Sequence, residues 1–254
     1  AFFAEQNGRY TLSLIKRNQL ASGIYEHVFN SDRKIIFKSG QYLEWTLGEV
    51  PSDNRGNRRF FTIASAPEDE DIALATRFSD KPSPVRDKDS WSPGRPLVGV
   101  FNGASAFKKT LAELPIGGIV YASSLAGDFV MPKDMRKKLA FIAGGIGITP
   151  FASMARHCIK TGENRDVILL YSSKIENEVP YKHVFTNASR NGWRAVYRIG
   201  IIGIEDIKRE VPDYAERTFY ISGPPSMVDA MKCSLINLGI SRFNIKTDFF
   251  SGLA

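Results

Sequence analysis

Short apolar runs, alternating or continuous, dominate the first half of the chain. Gly, Pro, Asn or Asp separates five of them, which cover residues 10–17, 23–30, 41–47, 58–65 and 71–78. Short strands bounded by turn residues are typical of an antiparallel barrel or sandwich. One segment differs, because SAFKKTLAEL at residues 105–114 predicts a helix with Ser105 as its N-cap. The Pro- and charge-rich stretch 79–103 is predicted to form a long loop.

The pattern changes near residue 135, where apolar strands begin to alternate with helical segments. The strands are predicted at residues 139–144, 166–173, 193–199, 218–223 and 242–250, and the helices at 150–161, 180–189, 204–211 and 225–238. This alternation favours a doubly wound parallel α/β sheet with helices on both faces. We therefore expect two domains, an antiparallel β-barrel over residues 1–135 and an α/β domain over residues 136–254.

Composition and charge exclude several classes of protein. The chain is 43% hydrophobic and 24% charged and has no apolar run long enough to span a membrane. Its formal charge is +7, of which residues 133–254 carry +6, so the second half either has a solvated basic surface or meets an anion. Neither a long basic run nor a binding motif suggests nucleic acid. Two cysteines and three scattered histidines predict buried thiols in a reducing compartment and no metal site.

Two glycine-bearing turns carry the candidate chemistry. In AGGIGITP the apolar run ends at Gly144, Gly145 and Gly147, and Thr149 is expected to cap the helix in which Pro150 occupies the first turn. Amides at such a helix start can face an anion, although a plain strand-to-helix turn explains this stretch equally well. A second strand ends in SGPPSM. Because ligands bind at the carboxyl ends of parallel strands, the two turns together favour a nucleotide crevice.

These two turns, in this order and behind a β-domain, resemble the NAD(P)-binding half of the ferredoxin–NADP reductase superfamily. That family has an Arg-x-Tyr-Ser/Thr motif on a barrel strand, and RRFFTIASAP offers Arg59, Phe61 and Thr62 in register. By resemblance, Arg59 anchors a flavin phosphate, Phe61 stacks on the isoalloxazine in place of Tyr, and Thr62 contacts the N5 region. The alternative is that this aromatic strand simply belongs to the core.

Further segments extend the resemblance from about Tyr10 to the C-terminus. They are SGQYLEW, the helix SAFKKTLAEL whose first amides meet the flavin diphosphate, the Gly-x-Phe turn in LAGDFVMP, and the tail IKTDFFSGLA. The flavin-binding residues implied are Gln41, Tyr42, Arg59, Phe60, Phe61, Thr62, Thr76, Ser105, Ala106, Gly127, Phe129, Phe249 and Phe250. The nucleotide-binding residues implied are Gly144, Gly145, Gly147, Thr149, Pro150, Ser172, Lys174, Gly223, Pro224 and Met227. The residues expected to border the reacting rings are Thr62, Ser222 and Asp248.

The sequence also departs from the family pattern. Ser222 stands where many relatives have a cysteine beside the nicotinamide, so no thiol role is expected. The loop at 79–103 is longer than usual, and the strand around Arg198 leads quickly into IEDIKREV. Because no four-cysteine ferredoxin domain is present in this sequence, the electron acceptor is expected to be external or to lie on a missing part of a longer chain.

The resemblance implies an FAD-dependent NAD(P)H oxidoreductase that passes a hydride to flavin and then electrons to an external acceptor, which is a ferredoxin, a flavodoxin or a membrane or partner redox centre. FAD is favoured over FMN. Such a partner is expected to be acidic, no membrane span is expected here, and the location is expected to be cytoplasmic or the cytoplasmic face of a membrane. The first residue, Ala1, suggests a chain cut from something longer. The alternative function is a non-catalytic flavin- or nucleotide-binding relay or regulatory module.

The nucleotide preference is weighed at the end of the second strand of the α/β domain. Tyr171, Ser172, Ser173 and Lys174 offer hydroxyls and a cation for a 2′-phosphate, and Tyr181 and Lys182 follow. Glu176 and Glu178 are close enough in sequence to repel a phosphate. These residues favour NADPH slightly over NADH.

Overall fold

The computed structural model describes residues 8–48, 56–78, 105–173 and 179–249, with only the backbone of Phe249. Contacts divide the chain into two compact units, one ending at Asp128 and the other beginning at Phe129. The boundary expected from the sequence, after residue 135, lies a few residues later in the chain. The predicted loop at 79–103 lies outside the described residues.

The first unit is an antiparallel sheet that curls on itself. Its elements are β1 (Tyr10–Ala21), β2 (Ile24–Ser31), β3 (Tyr42–Leu47), β4 (Arg58–Thr62), β5 (Ile72–Arg77), α1 (Ala106–Glu113) and β6 (Ile119–Ala126). The strand order is β4-β3-β6-β1-β2-β5. A bridge between Ile63 and Leu74 joins the two outer strands, with Ala64 N–H donating to the Ala73 carbonyl at 2.7 Å. The expected antiparallel barrel architecture is confirmed.

Strand β6 is absent from the sequence-based prediction, yet it lies between β3 and β1 in the sheet. Its buried positions are Val120 and Ala122, a weaker alternation than in the other strands. The predicted strands at 10–17, 23–30, 41–47, 58–65 and 71–78 correspond to β1 to β5. The predicted helix is α1, and Ser105 caps it by accepting from the Lys108 amide at 3.4 Å.

The second unit is a five-stranded parallel sheet with helices. Its elements are β7 (Leu139–Gly144), α2 (Thr149–Thr161), β8 (Val167–Ser173), α3 (Lys182–Ala188), β9 (Trp193–Ile199), α4 (Ile204–Glu210), β10 (Thr218–Gly223), α5 (Pro225–Asn237) and β11 (Ile245–Phe249). The strand order is β11-β10-β7-β8-β9. This is a doubly wound arrangement whose direction of winding reverses between β7 and β10. The expected α/β class is confirmed.

Successive residues of β7 show the two faces of this sheet. Ala140 and Ile142 belong to a core that includes residues of α4 and α5. Phe141 points the other way and stacks on Phe151 of α2, with ring centroids 4.6 Å apart. Helices therefore cover both faces, and every residue of β7 is buried.

The segment that leads into the second unit is packed against that unit. The Phe129 ring lies 5.7 Å from the Phe151 ring and 5.2 Å from the Tyr220 ring. The Tyr220 hydroxyl donates to the Val130 carbonyl at 2.9 Å, and Arg165 Nη1 donates to the Pro132 carbonyl at 3.0 Å. Residues 129–132 are thus part of the core and edge of the second unit.

The two cysteines differ from expectation in one respect. Cys158 on α2 is buried, and burial raises the pKa of its thiol to about 11. Cys233 on α5 is exposed, so the prediction of two buried thiols is wrong for this residue. The cause is the helix periodicity, because the buried residues of α5 are Val228, Met231 and Leu235, and Cys233 falls between them.

Candidate functional site

The reversal point of the parallel sheet brings the two glycine-bearing strand ends together. Ala143 on β7 pairs with Ser222 on β10, so Gly144 and Gly223 end adjacent strands. A Cβ atom at Gly147 would collide with the Ser222 carbonyl, and one at Gly223, whose φ is +159°, would lie 2.8 Å from Met227 Cε. These glycines therefore allow the turn after β7 to lie directly against the end of β10.

The turn after β7 differs in one detail from the expected geometry. Gly145–Ile148 forms a short 3₁₀ turn that runs straight into α2, so Ile148 occupies the N-cap position. Thr149 is already helical, and its hydroxyl donates to the Ile146 carbonyl at 2.8 Å. The predicted capping role of Thr149 is wrong, because a residue with helical backbone angles cannot turn its side chain onto the helix amides. Pro150 lies in the first turn as expected.

Ser222 has a buried hydroxyl at this crevice. The residue is fully buried, and its Oγ has no hydrogen-bond partner among the residues that the structure describes. On the other side of β10, Asp248 of β11 pairs with Ser222, and Phe249 pairs with Gly223. The Phe249 side chain and all of Phe250 lie outside the described part. Ser222 and Asp248, two residues predicted to border the nicotinamide, are thus neighbours in the sheet.

Pro224 and Met227 complete this end of β10. Pro224 is the N-cap residue of α5, and its carbonyl accepts from the amides of Met227 and Val228 at 3.0 Å each. The Met227 side chain is the group that a Cβ atom at Gly144 or Gly223 would meet. It therefore covers both strand ends from the α5 side.

A cavity near the end of β9 was missed in the sequence prediction. It has a volume of about 160 Å³ and includes Arg198, Asp206 and Arg209 in its lining. Asp206 accepts from Arg209 at 2.7 Å and from the Gly203 amide at 2.9 Å, and lies 3.1 Å from Arg198. The Gly203 bond, together with both arginines, lowers the pKa of Asp206. The sequence signal was the dense charge of IEDIKREV directly after Arg198.

The predicted 2′-phosphate residues are only partly described. Ser172, the penultimate residue of β8, pairs with Gly144, and its hydroxyl donates to the Gly200 carbonyl at 2.6 Å. Lys174, Glu176 and Glu178 lie outside the described residues. Tyr181 is buried with a φ of +61°, and the Arg156 guanidinium lies 5.0 Å from its ring.

In the first unit, strand β4 carries the predicted flavin motif, whose three residues are buried. Arg59 and Phe61 pair with Trp45 and Leu43, so both point into the barrel, with 7% and 5% of their surface exposed. The Phe61 ring packs 5.8 Å from Phe107 in the core. Alternation along the strand thus turns the Phe61 ring to the same side of β4 as Arg59, and its stacking on flavin stays a prediction.

Phe60 is the aromatic residue that β4 presents to solvent. Its side chain is 56% exposed and meets the half-buried Tyr42 edge to face, with centroids 5.6 Å apart. Thr62 is buried and pairs with Tyr42. An exposed aromatic pair beside a buried hydroxyl residue could support a flat, partly apolar ring.

Arg59 lies beside the beginning of α1. Its guanidinium carbon is 5.5 Å from the centre of the Phe107 ring, and its Nη1 donates to the carbonyls of Gly56 and Arg58. The first turn of α1 contains no acidic residue, and Lys108 and Lys109 lie in it or directly after it. Lysines are unfavourable at the positive end of a helix dipole, so this concentration of cations fits an anion.

The remaining predicted flavin residues fall in different places. Gln41 donates through Nε2 to the Gly127 carbonyl at 3.3 Å, and a Cβ atom at Gly127 would lie 3.1 Å from Tyr42 Cδ1. These three residues form one cluster next to Phe60. Thr76 is buried on β5 opposite Tyr25, apart from that cluster in the sheet order. Phe129 lies in the core of the second unit, because its ring packs on Phe151 and Tyr220.

Comparisons with known proteins agree with this arrangement. The family described as "Oxidoreductase NAD-binding domain" matches residues 141–199, which include the glycine turn and β8. A glycine betaine monooxygenase reductase subunit from Pseudomonas aeruginosa is 27% identical over 245 residues, or 89% of this chain and 60% of that protein. These matches support the resemblance of the chain to the ferredoxin–NADP reductase superfamily.

Two solved structures share the fold of this chain. The flavohemoglobin of Malassezia yamatoensis with bound FAD and heme has a TM-score of 0.76 at 19% identity, over 98% of this chain and 63% of that one. The FAD/NAD binding domain of nitric oxide dioxygenase from Vibrio cholerae has a TM-score of 0.74 at 16% identity, over 96% and 99%. The chain spans 52% to 65% of the length of the curated relatives that it matches most fully.

Two other features are absent from the described ranges of the chain. None of its described helices is long and apolar enough to cross a membrane. No cluster of three His, Cys, Asp or Glu side chains suited to a metal ion occurs among those same residues.

Proposed function

We propose that this chain is an NAD(P)H-dependent flavoprotein reductase that binds FAD in its first unit and a nicotinamide nucleotide in its second. The observation that carries the proposal is the reversal point between β7 and β10, where the glycine turn, Gly223 and the buried Ser222 hydroxyl meet. Parallel sheets of this order bind nucleotides at that point. The match of residues 141–199 to an NAD-binding domain supports the same site.

The residues of the second unit would hold and orient the nucleotide. The turn after β7 presents backbone amides at the start of α2, which suits a diphosphate. The Ser222 hydroxyl, buried without a hydrogen-bond partner in the described chain, could donate to or accept from the nicotinamide amide. Asp248, its neighbour on β11, would add a carboxylate beside the same ring.

The residues of the first unit would hold the flavin. Arg59 and the backbone amides at the start of α1 would bind the diphosphate, because the Arg59 guanidinium lies beside that first turn. Phe60 and Tyr42 would contact the isoalloxazine, in the place first expected for Phe61. Thr62 would face the ring system from the end of β4, and Gln41 and Gly127 would border the same cluster.

When both are bound, NAD(P)H supplies a hydride and FAD accepts it, and the two electrons then leave for a separate acceptor. None of these residues must act as a strong nucleophile, because alignment and electrostatics are what the protein provides. We infer a redox partner protein or a membrane-embedded redox subunit, with an acidic surface that suits the positive charge of this chain. A cytoplasmic location, or the cytoplasmic face of a membrane, fits NAD(P)H as the donor.

Two measurements test this function against the alternative of a non-catalytic module. The purified protein should be yellow, and cofactor released by heat should run with FAD rather than FMN in chromatography. NAD(P)H added under anaerobic conditions should reduce the flavin and bleach its absorbance. A protein that holds flavin but is not reduced by either nucleotide would instead be a relay or regulatory module.

We further propose that NADPH is preferred over NADH. The support is the group of hydroxyls and cations after β8, to which the structure adds Arg198 and Arg209 near the end of β9. Because Asp206 pairs with both arginines, a 2′-phosphate there would compete with a carboxylate. The preference therefore depends on Lys174 as the cation expected from the sequence.

The Lys174→Ala variant tests this preference. Loss of one charge-assisted phosphate contact costs about 1.5–3 kcal/mol, so NADPH should bind roughly ten- to hundredfold more weakly. The affinity for NADH should change little, as measured by anaerobic flavin reduction at varied nucleotide concentration. Lys232→Ala, at an exposed position of α5, is the matched control. Equal losses for both nucleotides, or faster reduction of the wild type by NADH, would contradict the NADPH preference and leave the reductase proposal standing.

A further inference from the structure

Arg17 is a buried cation in the first unit that the proposed chemistry does not use. It lies on β1 with 1% of its surface exposed. Its Nη2 donates to the Leu114 carbonyl at 2.8 Å and to the Leu111 carbonyl at 3.3 Å. These carbonyls belong to the last turn and C-cap of α1. Arg17 therefore reaches from the sheet to the negative end of that helix.

The helix depends on such outside contacts. It has only eight residues, and its last turn contains no basic residue of its own. A helix of this length has little stability in isolation, so its place is set by packing and by groups that satisfy its ends. Arg17 supplies a cation at the C-terminal end, where the helix dipole favours one.

His27 fixes the orientation of the Arg17 side chain. Arg17 Nε donates to His27 Nε2 at 3.1 Å, so this nitrogen is the acceptor and His27 is neutral. The imidazole is fully buried, stacked 6.5 Å from Phe29 and edge-on 5.6 Å from Phe78. Because aromatic rings hold the imidazole on two sides, its acceptor nitrogen orients the Arg17 guanidinium toward the end of α1.

We propose that Arg17 is a positioning residue for flavin binding, which acts by holding α1 so that its first turn stays beside Arg59. This inference rests on the proposed function, in which that turn and Arg59 bind the FAD diphosphate. Both ends of the helix are then fixed, by the Ser105 cap at one end and by Arg17 at the other. A large apolar residue would fill the same space more cheaply than a buried cation, so packing alone does not explain Arg17.

The test compares FAD affinity and helix protection in matched variants. Arg17→Met keeps the size and removes all donors, Arg17→Lys keeps one charged donor group, and His27→Gln keeps a neutral acceptor. Val120→Ala, which removes buried apolar atoms from β6 of the same barrel, is the control for general destabilisation. FAD affinity is measured by titrating the apoprotein with FAD and following the FAD fluorescence. Hydrogen exchange measures the protection of the amides of α1.

We expect Arg17→Met to weaken FAD binding at least tenfold and to speed exchange in α1, with Arg17→Lys and His27→Gln between it and the wild type. The affinity of Arg17→Met for NAD(P)H and the affinity of Val120→Ala for FAD should each change less than threefold. Unchanged FAD affinity in Arg17→Met, or an equal loss in Val120→Ala, would overturn the inference. If Arg17→Met does not fold, Arg17→Lys and His27→Gln decide by the same comparison. A wild-type protein that binds no FAD would overturn the proposed function and, with it, this inference.

Discussion

Arg59 is the single residue on which the proposed flavin site depends most. It is buried beside the first turn of α1, whereas its neighbour Arg58 is exposed and lies 3.6 Å from Glu44. A charge-assisted contact to phosphate contributes about 1.5–3 kcal/mol. Arg59→Ala should therefore weaken FAD binding roughly ten- to hundredfold, as measured by titration of the apoprotein. Arg58→Ala is the control, and an Arg59→Ala protein with full FAD occupancy would contradict the assignment.

His27 should make the stability of the protein depend on pH. Burial, and secondarily the Arg17 charge, lowers the pKa of His27 well below 6.5. The unfolded chain then binds a proton that the folded chain does not, so the contribution is complete above pH 6.5 and is lost as the pH falls below it. The free energy of unfolding should fall by up to about 1.4 kcal/mol per pH unit in that range.

Urea unfolding at several pH values between 5 and 8 measures this slope. Tyr25 is another ionisable side chain beside Arg17, and burial raises its pKa, so it does not titrate in this range. His27→Gln should flatten the curve, since it keeps an acceptor for Arg17 and removes the titrating group. A wild-type slope that survives in His27→Gln would assign the effect to another residue.

The glycine turn after β7 makes a prediction at the level of the element. A Cβ atom at Gly147 would collide with backbone atoms of Ser222 and Gly223, so Gly147→Ala must push the turn away from β10. Overpacking of this kind costs about 1–3 kcal/mol of stability. It should also weaken NAD(P)H binding at least tenfold, measured by anaerobic flavin reduction. Gly48→Ala, where a Cβ atom meets nothing within 4 Å, is the control. Unchanged nucleotide binding in Gly147→Ala would separate this turn from the site.

Strong periodicity decided which elements were predictable from the sequence. The three central parallel strands are mostly apolar and buried, and the parallel strands alternate with clear helical patterns, so all five were found within a few residues. Strand β6 was missed because two serines and small residues dilute its alternation. The facing of Phe61 was beyond the sequence for a related reason. The motif gives spacing along β4, but only the pairing with β3 reveals which alternate residues face inward.

The details of the turns were also beyond the sequence. Thr149 is a residue type that commonly caps helices. Because the 3₁₀ turn before it leads directly into α2, Thr149 is instead the first residue of the helix. The cavity at Arg198 forms only when α4 folds back on β9, which no local pattern specifies. By contrast, the pairing of the two glycine-bearing strand ends followed directly from the rule for parallel sheets.

At the scale of the whole molecule, ion pairs hold two basic residues of the second half at one end of its sheet. Lys138 contacts Asp213 and Glu216, and Arg217 contacts Asp166 and the same Asp213. Arg217 and Lys138 lower the pKa of Asp213 to about 2. These groups stabilise the start of β7 and β10, at the edge of the sheet opposite the proposed nucleotide site. An anion partner for the second half stays a prediction.

The packing of residues 129–132 determines where the chain can be cut. A fragment that starts at 136 would lose Phe129 and the carbonyls of Val130 and Pro132, and would expose the rings of Phe151 and Tyr220. Loss of a buried Phe side chain alone costs about 3–5 kcal/mol. A fragment of residues 129–254 should therefore unfold cooperatively in urea, whereas one of residues 136–254 should be markedly less stable and bind hydrophobic dyes. Residues 129–132 look like a linker in the sequence, yet they would decide whether a separately produced second unit folds or aggregates. Equal stability of the two fragments would show that these four residues do not stabilise the second unit.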